Sequence, residues 1–288
     1  MGITKIIGYS AAIIATVLLG SIGFFVRNIS ANGFIITFAR LCIGLVFLII
    51  FLFFKKEIRN ILSIKFSFSL LSTGCLLAMA MLCYMNAIIS TTLINAVFLL
   101  YLGPLIAVGI AAVFLKEKFT FLNGGLICLA FLGFLFLLEF DFSLNVDEFK
   151  GYLWGMGSAV SYALYIVFNR KIPEQIPALT RSFYQLLFGA LTMLPFLDDS
   201  LFSLSTKDLY WLTAMGFFQG FLAFPALVLA VKHLKSIEYG TISYSETLVA
   251  SLIGWGFFSE SLTLSQFFGC AIVFSGGMIQ VLTTIKNE

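Results

Sequence analysis

Apolar segments of about twenty residues follow one another along this chain, separated by short charged or turn-rich connections. A helix of that length spans the ~30 Å hydrocarbon core of a bilayer. Only 11% of the residues are charged and 60% are hydrophobic, so the chain has too few polar side chains to cover a core in water. We therefore expect an all-α, multi-pass membrane protein.

The apolar segments number ten, and the short connections predict that most consecutive helices are antiparallel. Lysine and arginine favour the cytoplasmic side of membrane helices. If the N-terminus lies inside, twelve basic residues fall on the cytoplasmic side and three on the outer side, so both termini are predicted to be cytoplasmic. The predicted spans are 7–27, 33–54, 67–89, 92–115, 121–139, 151–170, 180–197, 209–231, 237–258 and 263–284.

The chain repeats itself at an offset of 143 residues. Residues 101–124 align without a gap with residues 244–267, and Gly8-Tyr9 falls on Gly151-Tyr152. Each half holds five predicted helices, which is an odd number, so equivalent helices run in opposite directions. This pattern is typical of the inverted repeats found in membrane transporters.

The charges agree with an inverted repeat. Lysines flank Glu117 on the predicted inner side, whereas serines flank its equivalent, Glu260, on the predicted outer side. We therefore expect a first repeat at 1–139, an outer linker at 140–150 and a second repeat at 151–288.

Five segments resemble the EamA family of the drug/metabolite transporter superfamily. They are LGSIGFFVR (19–27), ITFARLCIGLVFLII (36–50), LGPLIAVGIAAVFLKEKFT (102–120), ALYIVFNRK (163–171) and YSETLVASLIGWGFFSESLT (244–263). The resemblance covers nearly the whole chain as two tandem repeats. It implies a secondary active transporter in the cell membrane, of the bacterial inner or plasma membrane type, which exports amino acids or similar small metabolites by alternating access.

Other functions remain as alternatives at this point. An exporter or flippase of lipophilic, drug-like or lipid-linked compounds is the main one, because the chain contains 34 phenylalanines. A non-transporting membrane receptor is more distant. The sequence predicts no enzyme, metal or cofactor, since no nucleophile–base or metal-ligand constellation surrounds the single histidine.

The expected partners follow from the same features. The net charge of +3 comes without a basic face, which argues against nucleic acid. A small-molecule substrate and the lipid bilayer are the predicted partners, with proton coupling as an option. The oligomeric state stays open.

Two ionisable residues lie well inside predicted spans, Arg40 in the second and Glu246 in the ninth. A charge at membrane depth is costly and indicates a functional site by default. The helical rise places the two backbones at depths that differ by about 6 Å. Three interpretations stay open: a structural ion pair, a proton that binds to and leaves Glu246, or binding of an oppositely charged substrate group by one of the charges.

Uncharged polar residues complete the predicted substrate or coupling site. Four of these residues form a stripe with helical spacing along the sixth span. The alternative role of all these polar residues is hydrogen bonding between helices. The residues are Ser158, Ser161, Tyr162 and Tyr165 in the sixth span, Thr241, Tyr244 and Ser245 in the ninth, Gln219 in the eighth, Asn86 in the third and Asn95 in the fourth.

Overall fold

The computed structural model describes residues 3–58, 61, 67–114, 121–137, 146–169, 171–173, 175–233, 242 and 245–287, and this part of the chain contains helices but no strand. Helices of the first repeat are α1 (Ile3–Gly20), α2 (Ile22–Val26), α3 (Gly33–Phe54), α4 (Phe68–Ser90), α5 (Leu93–Leu100), α6 (Gly103–Phe114) and α7 (Phe121–Leu137). The second repeat contains α8 (Val146–Asn169), α9 (Ala178–Met193), α10 (Thr206–Met215), a π-helical segment (Gly216–Leu222), α11 (Ala223–His233), α12 (Ser245–Phe258) and α13 (Leu264–Asn287).

Helices long and apolar enough to cross a membrane occur at Ile6–Val26, Gly33–Phe54, Phe68–Ser90 and Leu93–Ala111. Shorter apolar helices in the described residues lie at Gly124–Gly133, Glu246–Phe258 and Leu264–Gly276. Several apolar helices and the membrane-protein class are therefore confirmed. The count of ten spans and the cytoplasmic termini stay predictions.

Within the described residues, three predicted spans are interrupted. The span predicted at 92–115 breaks at Tyr101 and Leu102, because the ring of Pro104 clashes with the carbonyl four residues earlier and ends α5 at Leu100. The span predicted at 7–27 turns at Ser21, between Gly20 and Ile22, where glycine and serine permit a kink.

The third interruption is the π-helical segment in the span predicted at 209–231. Pro225 follows this segment and lacks a backbone N–H, so the regular α-helical hydrogen-bond ladder cannot continue through it. Single π-helical turns occur frequently at functional sites.

The helix of the sixth predicted span includes residues before position 151. Helix α8 starts at Val146, so residues 146–150 of the predicted linker 140–150 are helical, and the remaining linker residues lie outside the described part. The sequence favours this start because the acidic residue Glu148 lies in the first turn, where a negative charge stabilises a helix.

Helix contacts come in sets related by exchange of the two halves. Helix α4 of the third span packs on α8 of the sixth, and α11 of the eighth span packs on α1 of the first. Likewise α5 and α6 of the fourth span contact α8, as α12 of the ninth contacts α1. Helix α9 packs on α4 as the π-helical segment packs on α3. The two-repeat architecture is therefore visible in the packing.

The apolar core joins both repeats, and large apolar side chains also cover the outside. Ile22, Ile35 and Leu93 of the first repeat share one buried cluster with Tyr152 and Ala250 of the second. Large exposed hydrophobic side chains suit a surface in contact with lipid. They include Phe53, Phe121, Leu252 and Trp255.

Candidate functional site

Four buried side chains from both repeats interact inside the bundle, and we call them the charged centre: Arg40 of α3, Tyr84 of α4, Tyr101 at the α5–α6 break and Glu246 of α12. Arg40 has only 4% of its surface exposed and Glu246 has 9%. Arg40, Tyr84 and Glu246 interact electrostatically with one another. The structure thus brings together the two buried charges that the sequence singles out.

Tyr101 fixes the carboxylate of Glu246. Its phenolic O–H donates a hydrogen bond of 2.8 Å to Oε2 of Glu246. Tyr101 occupies the break that Pro104 imposes, so this interruption of the helix places the hydroxyl against a residue of the other repeat. A broken helix at a central polar site is a recurrent arrangement in inverted-repeat transporters.

Arg40 is buried, and its guanidinium has no ion-pair partner among the described residues. Within the described residues no N–O distance of 4.0 Å or less joins its guanidinium to Glu246, and its Nε has no hydrogen-bond partner there. The hydroxyl of Tyr84 is likewise buried without a partner. A buried polar group left unbonded costs about 1–3 kcal/mol. Among the described residues the two charges therefore interact without a direct ion pair, and all three interpretations of them stay predictions.

Close backbone contact positions Arg40. Gly220 of the π-helical segment lies so near α3 that a Cβ built on it would come within 2.7 Å of the carbonyl oxygen of Arg40. A Cβ on Gly44, one turn further along α3, would meet the Cα of Gly220 at 2.8 Å. Only glycine allows the two helices to approach this closely.

Gln219 connects the π-helical segment to the break in the first span. Its Nε2 donates hydrogen bonds to the carbonyl oxygen of Leu18 and to Oγ of Ser21 at 3.0 Å. Oε1 of Gln219 is buried and has no partner in the described part of the chain. Two irregular segments, one from each repeat, are therefore tied together next to α3.

A second polar cluster lies at the end of the bundle where α2 ends, and we call it the Arg27 latch: Arg27, Glu260, Thr91 and the first two backbone N–H groups of α5. Nη2 of Arg27 lies 2.8 Å from Oε1 of Glu260 and donates to the carbonyl oxygen of Thr91 at 2.7 Å. Glu260 also accepts hydrogen bonds from the backbone N–H groups of Leu93 at 2.9 Å and Ile94 at 3.3 Å. A carboxylate at a helix N-terminus is stabilised by the unpaired N–H groups and by the helix dipole.

Asp208 joins the repeats at the same end. Its carboxylate accepts a 2.8 Å hydrogen bond from the backbone N–H of Ser30 and forms a capping box with Ser205 at the start of α10. The hydrogen bond from the Ser205 side chain, followed by that from the Ser30 backbone, holds the pKa of Asp208 below its usual value.

The predicted stripe on α8 is mostly occupied by contacts within the protein. Ser158 is buried and donates to the carbonyl oxygen of Gly155 at 2.6 Å. Tyr165 donates to Oε1 of Gln185 at 3.1 Å, and Tyr162 stacks on Tyr165. Ser161 is buried on the same helix.

Within this stripe, Tyr162 lies closest to the break in the fourth span. A Cβ built on Gly103, at the start of α6, would come within 2.9 Å of its ring. Tyr162 therefore borders the segment that positions Tyr101.

The other predicted polar residues divide into three groups. Asn95 donates to the hydroxyl of Tyr152 at 2.9 Å, and Asn86 donates to the carbonyl oxygen of Leu82 at 3.0 Å. Ser245 begins α12, but its side chain is not described. Thr241 and Tyr244 lie outside the described residues.

Sequence reasoning missed Tyr84, Tyr101 and the Arg27 latch. The two tyrosines look like packing residues in apolar runs, although Tyr101 stands immediately before Leu102-Gly103-Pro104, a helix-breaking signal. Arg27 and Glu260 are both predicted to lie on the outer side of the membrane, and this shared location was the one sequence feature that could have suggested their ion pair. No group of three His, Cys, Asp or Glu side chains in the described ranges could hold a metal ion.

Known proteins resemble this chain over nearly its whole length. The model described as the EamA-like transporter family matches residues 6–139 and again residues 149–282. An "Uncharacterized transporter" of Archaeoglobus fulgidus is 27% identical over 278 residues, which is 94% of this chain and 95% of the relative. "Uncharacterized transporter YxxF" of Bacillus subtilis is 21% identical over 96% of this chain and 89% of its own. A solved crystal structure with 18% identity has the same fold, with a TM-score of 0.67 over 99% of both chains.

Proposed function

Because this chain belongs to the EamA-like transporter family, we propose that it is a secondary active transporter that exports amino acids or similar small metabolites across the cell membrane by alternating access. Membership of the family makes it a multi-pass membrane transporter. The substrate class, the direction and the mechanism are the proposal.

The charged centre carries this proposal. It contains one buried guanidinium and one buried carboxylate that are not in contact, each from a different repeat. Buried charges in membrane helices mark substrate or ion pathways, and inverted-repeat transporters bind substrate between their repeats. A small polar solute that carries charge fits such a centre better than an apolar one, because charged groups are costly to leave unbonded.

The Arg27 latch supports alternating access. It joins α2 and α5 of the first repeat to the connection after α12 of the second, at the end that the charge distribution predicts to be outside. We propose that these contacts close that end of the transport pathway. Transport by alternating access requires a second state in which these contacts separate.

Glu246 is the proposed coupling residue. It is the buried carboxylate of the charged centre, and the Tyr101 hydrogen bond holds it between the repeats. A carboxylate in that position binds a proton from one side and releases it to the other when access alternates. Proton movement in exchange for substrate would then drive export.

Counterflow in proteoliposomes tests the proposed function. Liposomes preloaded with unlabelled amino acids are expected to accumulate the same labelled amino acid to saturation, and an imposed pH gradient is expected to drive net uptake. Glu246→Gln is expected to keep saturable counterflow, which needs no net proton movement, but at a raised half-saturation concentration, and to lose pH-driven uptake. Glu148→Gln, at the exposed start of α8, is the matched control and is expected to retain both.

Three outcomes would each contradict a part of the proposal. Absence of counterflow with every amino acid and small metabolite, in liposomes where the protein is shown to be folded, overturns the transport assignment. Saturable exchange confined to lipophilic compounds overturns the substrate class. Unchanged pH-driven uptake by Glu246→Gln removes Glu246 from the coupling mechanism.

A further inference from the structure

We infer that Arg40 and Tyr84 form a carboxylate-binding subsite, so that the transported solutes are small monocarboxylates, with zwitterionic amino acids the best suited. This inference rests on the proposed function, since it names the substrate chemistry of the same site.

The donors of this subsite lack hydrogen-bond partners among the described residues of the protein. Nε of Arg40 and the hydroxyl of Tyr84 are both buried and unbonded in the described part of the chain, and the two side chains interact electrostatically. A guanidinium presents its N–H groups as a planar fork that matches the two oxygens of a carboxylate. The phenolic O–H adds a further donor. Together these groups satisfy a carboxylate, which accepts hydrogen bonds on both oxygens.

Glu246 does not take this role itself. Its carboxylate receives the hydrogen bond from Tyr101 and lies beyond 4.0 Å from the Arg40 nitrogens. Close packing of α1 keeps this arrangement, because Gly20 leaves so little space that a Cβ there would come within 2.8 Å of the carbonyl oxygen of Glu246. The protein therefore holds its own acid apart from its buried guanidinium.

Charge balance narrows the substrate further. The ionised forms of Arg40 and Glu246 cancel, and an uncompensated charge in a buried site is strongly unfavourable. A zwitterionic amino acid adds no net charge, and its ammonium group can face Glu246. A simple monocarboxylate adds one negative charge, which a proton on Glu246 compensates. A dianion such as a phosphate monoester leaves excess negative charge and is disfavoured.

Competition in the counterflow assay tests the subsite. For a transported amino acid, the corresponding decarboxylated amine and the methyl ester are expected to compete at least about tenfold more weakly, because each lacks the charged acceptor for Arg40 and Tyr84. Monocarboxylates without an amino group are expected to compete better as the pH is lowered. Equal competition by the amine overturns the subsite while leaving transport itself established, whereas absence of all counterflow overturns the proposed function.

Variants give an independent test. Tyr84→Phe is expected to raise the half-saturation concentration for amino acids about tenfold or more, because one donor to the carboxylate is lost. Tyr184→Phe is the control, because the same hydroxyl is removed where it bonds only the carbonyl oxygen of Ile61 at 3.1 Å. Arg40→Lys keeps the charge but loses the fork, and a similar loss of affinity is expected.

Binding measured in detergent keeps the test decisive if a variant transports poorly. Addition of amino acid is expected to raise the melting temperature of the wild-type protein and of Tyr184→Phe, and to raise that of Tyr84→Phe or Arg40→Lys only at much higher concentration. Equal amino-acid affinity in wild type, Tyr84→Phe and Arg40→Lys would refute the subsite.

Discussion

Polar side chains inside this bundle differ in where they find hydrogen-bond partners. Thr16, Thr37 and Thr73 are buried, but each hydroxyl bonds a carbonyl oxygen four residues earlier in its own helix. Such a residue needs nothing from the rest of the protein. Arg40 and Tyr84 are equally buried and have no such local solution. The side chains of Arg40 and Tyr84 are too long to bond the backbone of their own helices in this way. Their donors, which lack partners among the described residues, are therefore the basis of the proposed carboxylate-binding subsite.

At the predicted outer end, Asp208 makes stability depend on pH. Its folded-state pKa lies below the usual value, so the unfolded chain binds a proton more readily than the folded chain. The stabilisation is complete above the unfolded pKa of about 3.9 and is lost as the pH falls through the folded value. Asp208→Asn is expected to lower the free energy of unfolding by about 1 kcal/mol at neutral pH, by loss of the capping box.

Thermal unfolding in detergent at several pH values checks this prediction. The difference in melting temperature between wild type and Asp208→Asn should be largest at neutral pH and should shrink toward acidic pH. Ser205→Ala removes the partner hydroxyl of the same capping box, so adding Asp208→Asn to it should cost less than Asp208→Asn alone. If the difference in melting temperature grows as the pH falls, the predicted direction of the pH dependence is wrong.

The long apolar helices could be predicted from the sequence, but the positions at which some of them are interrupted could be predicted only in part. The span predicted at 33–54 coincides with α3, because the run is uniformly apolar and Asn32 caps its start by accepting from the N–H of Ile35. Pro104 signals the break after α5, whereas the turn at Ser21 depends on tertiary contacts. Gln219, some 200 residues away in the chain, supplies hydrogen bonds to that turn.

The candidate site was predictable only in its charges. A charge in an apolar run is conspicuous, and helical rise alone brought Arg40 and Glu246 to similar depth. Tyrosine is common in apolar packing, so the hydroxyls of Tyr84 and Tyr101 could be recognised only after the neighbouring helices were known. Ser158 and Tyr165 followed a polar stripe, yet both bond inside the protein. A polar stripe in the sequence shows which face of a helix is polar, but it does not show which groups those side chains bond.

Because α3 lies so close to the π-helical segment, adding one methyl group at Gly44 is expected to lower the stability of the protein strongly. Gly44→Ala places a Cβ at 2.8 Å from the Cα of Gly220, so the helices must separate. We expect a loss of about 1–3 kcal/mol of stability, together with weaker substrate binding because Arg40 lies one turn away. Gly125→Ala in α7 is the control, since a Cβ there meets nothing within 4 Å, and Ala favours a helix by about 0.5–1 kcal/mol over Gly.

Melting temperature and amino-acid binding of the two variants check this prediction. Gly44→Ala should unfold at lower temperature and bind more weakly, whereas Gly125→Ala should be equal to wild type or more stable. If Gly44→Ala matches Gly125→Ala in both measurements, close helix contact does not position Arg40.

The whole molecule combines a symmetric scaffold with an asymmetric centre. Packing is related by exchange of halves, but the repeat equivalent of Glu246 is Gly103 and that of Arg40 is Phe183. Each repeat therefore contributes one charge that the other lacks. A symmetric scaffold can adopt two states of similar energy, while a single pair of charges defines one site that both states share.

Under the proposed alternating-access mechanism, we expect the Arg27 latch to influence the balance between two such states. Its contacts cross the repeats and bury Glu260, whose side chain is 7% exposed, more deeply than Arg27, at 28%. Glu260→Gln removes the charge that both Arg27 and the N-terminus of α5 stabilise. Hydrogen bonds to charged groups are worth about 1.5–3 kcal/mol each, so the closed state should lose roughly tenfold or more in population relative to the state open at this end.

A cysteine introduced in α5, further into the bundle than the Arg27 latch, can measure whether the contacts of the latch separate. Ala96 of α5 is fully buried, so Ala96→Cys in a background without the five native cysteines should react slowly with a membrane-impermeant thiol reagent added outside. Glu260→Gln should accelerate that reaction several-fold, and Arg27→Gln should act in the same direction because it removes the partner of the same carboxylate. Asp199→Asn removes an exposed carboxylate at the same end and should leave the rate unchanged. Equal labelling rates with and without Glu260→Gln would show that the latch does not hold this end closed.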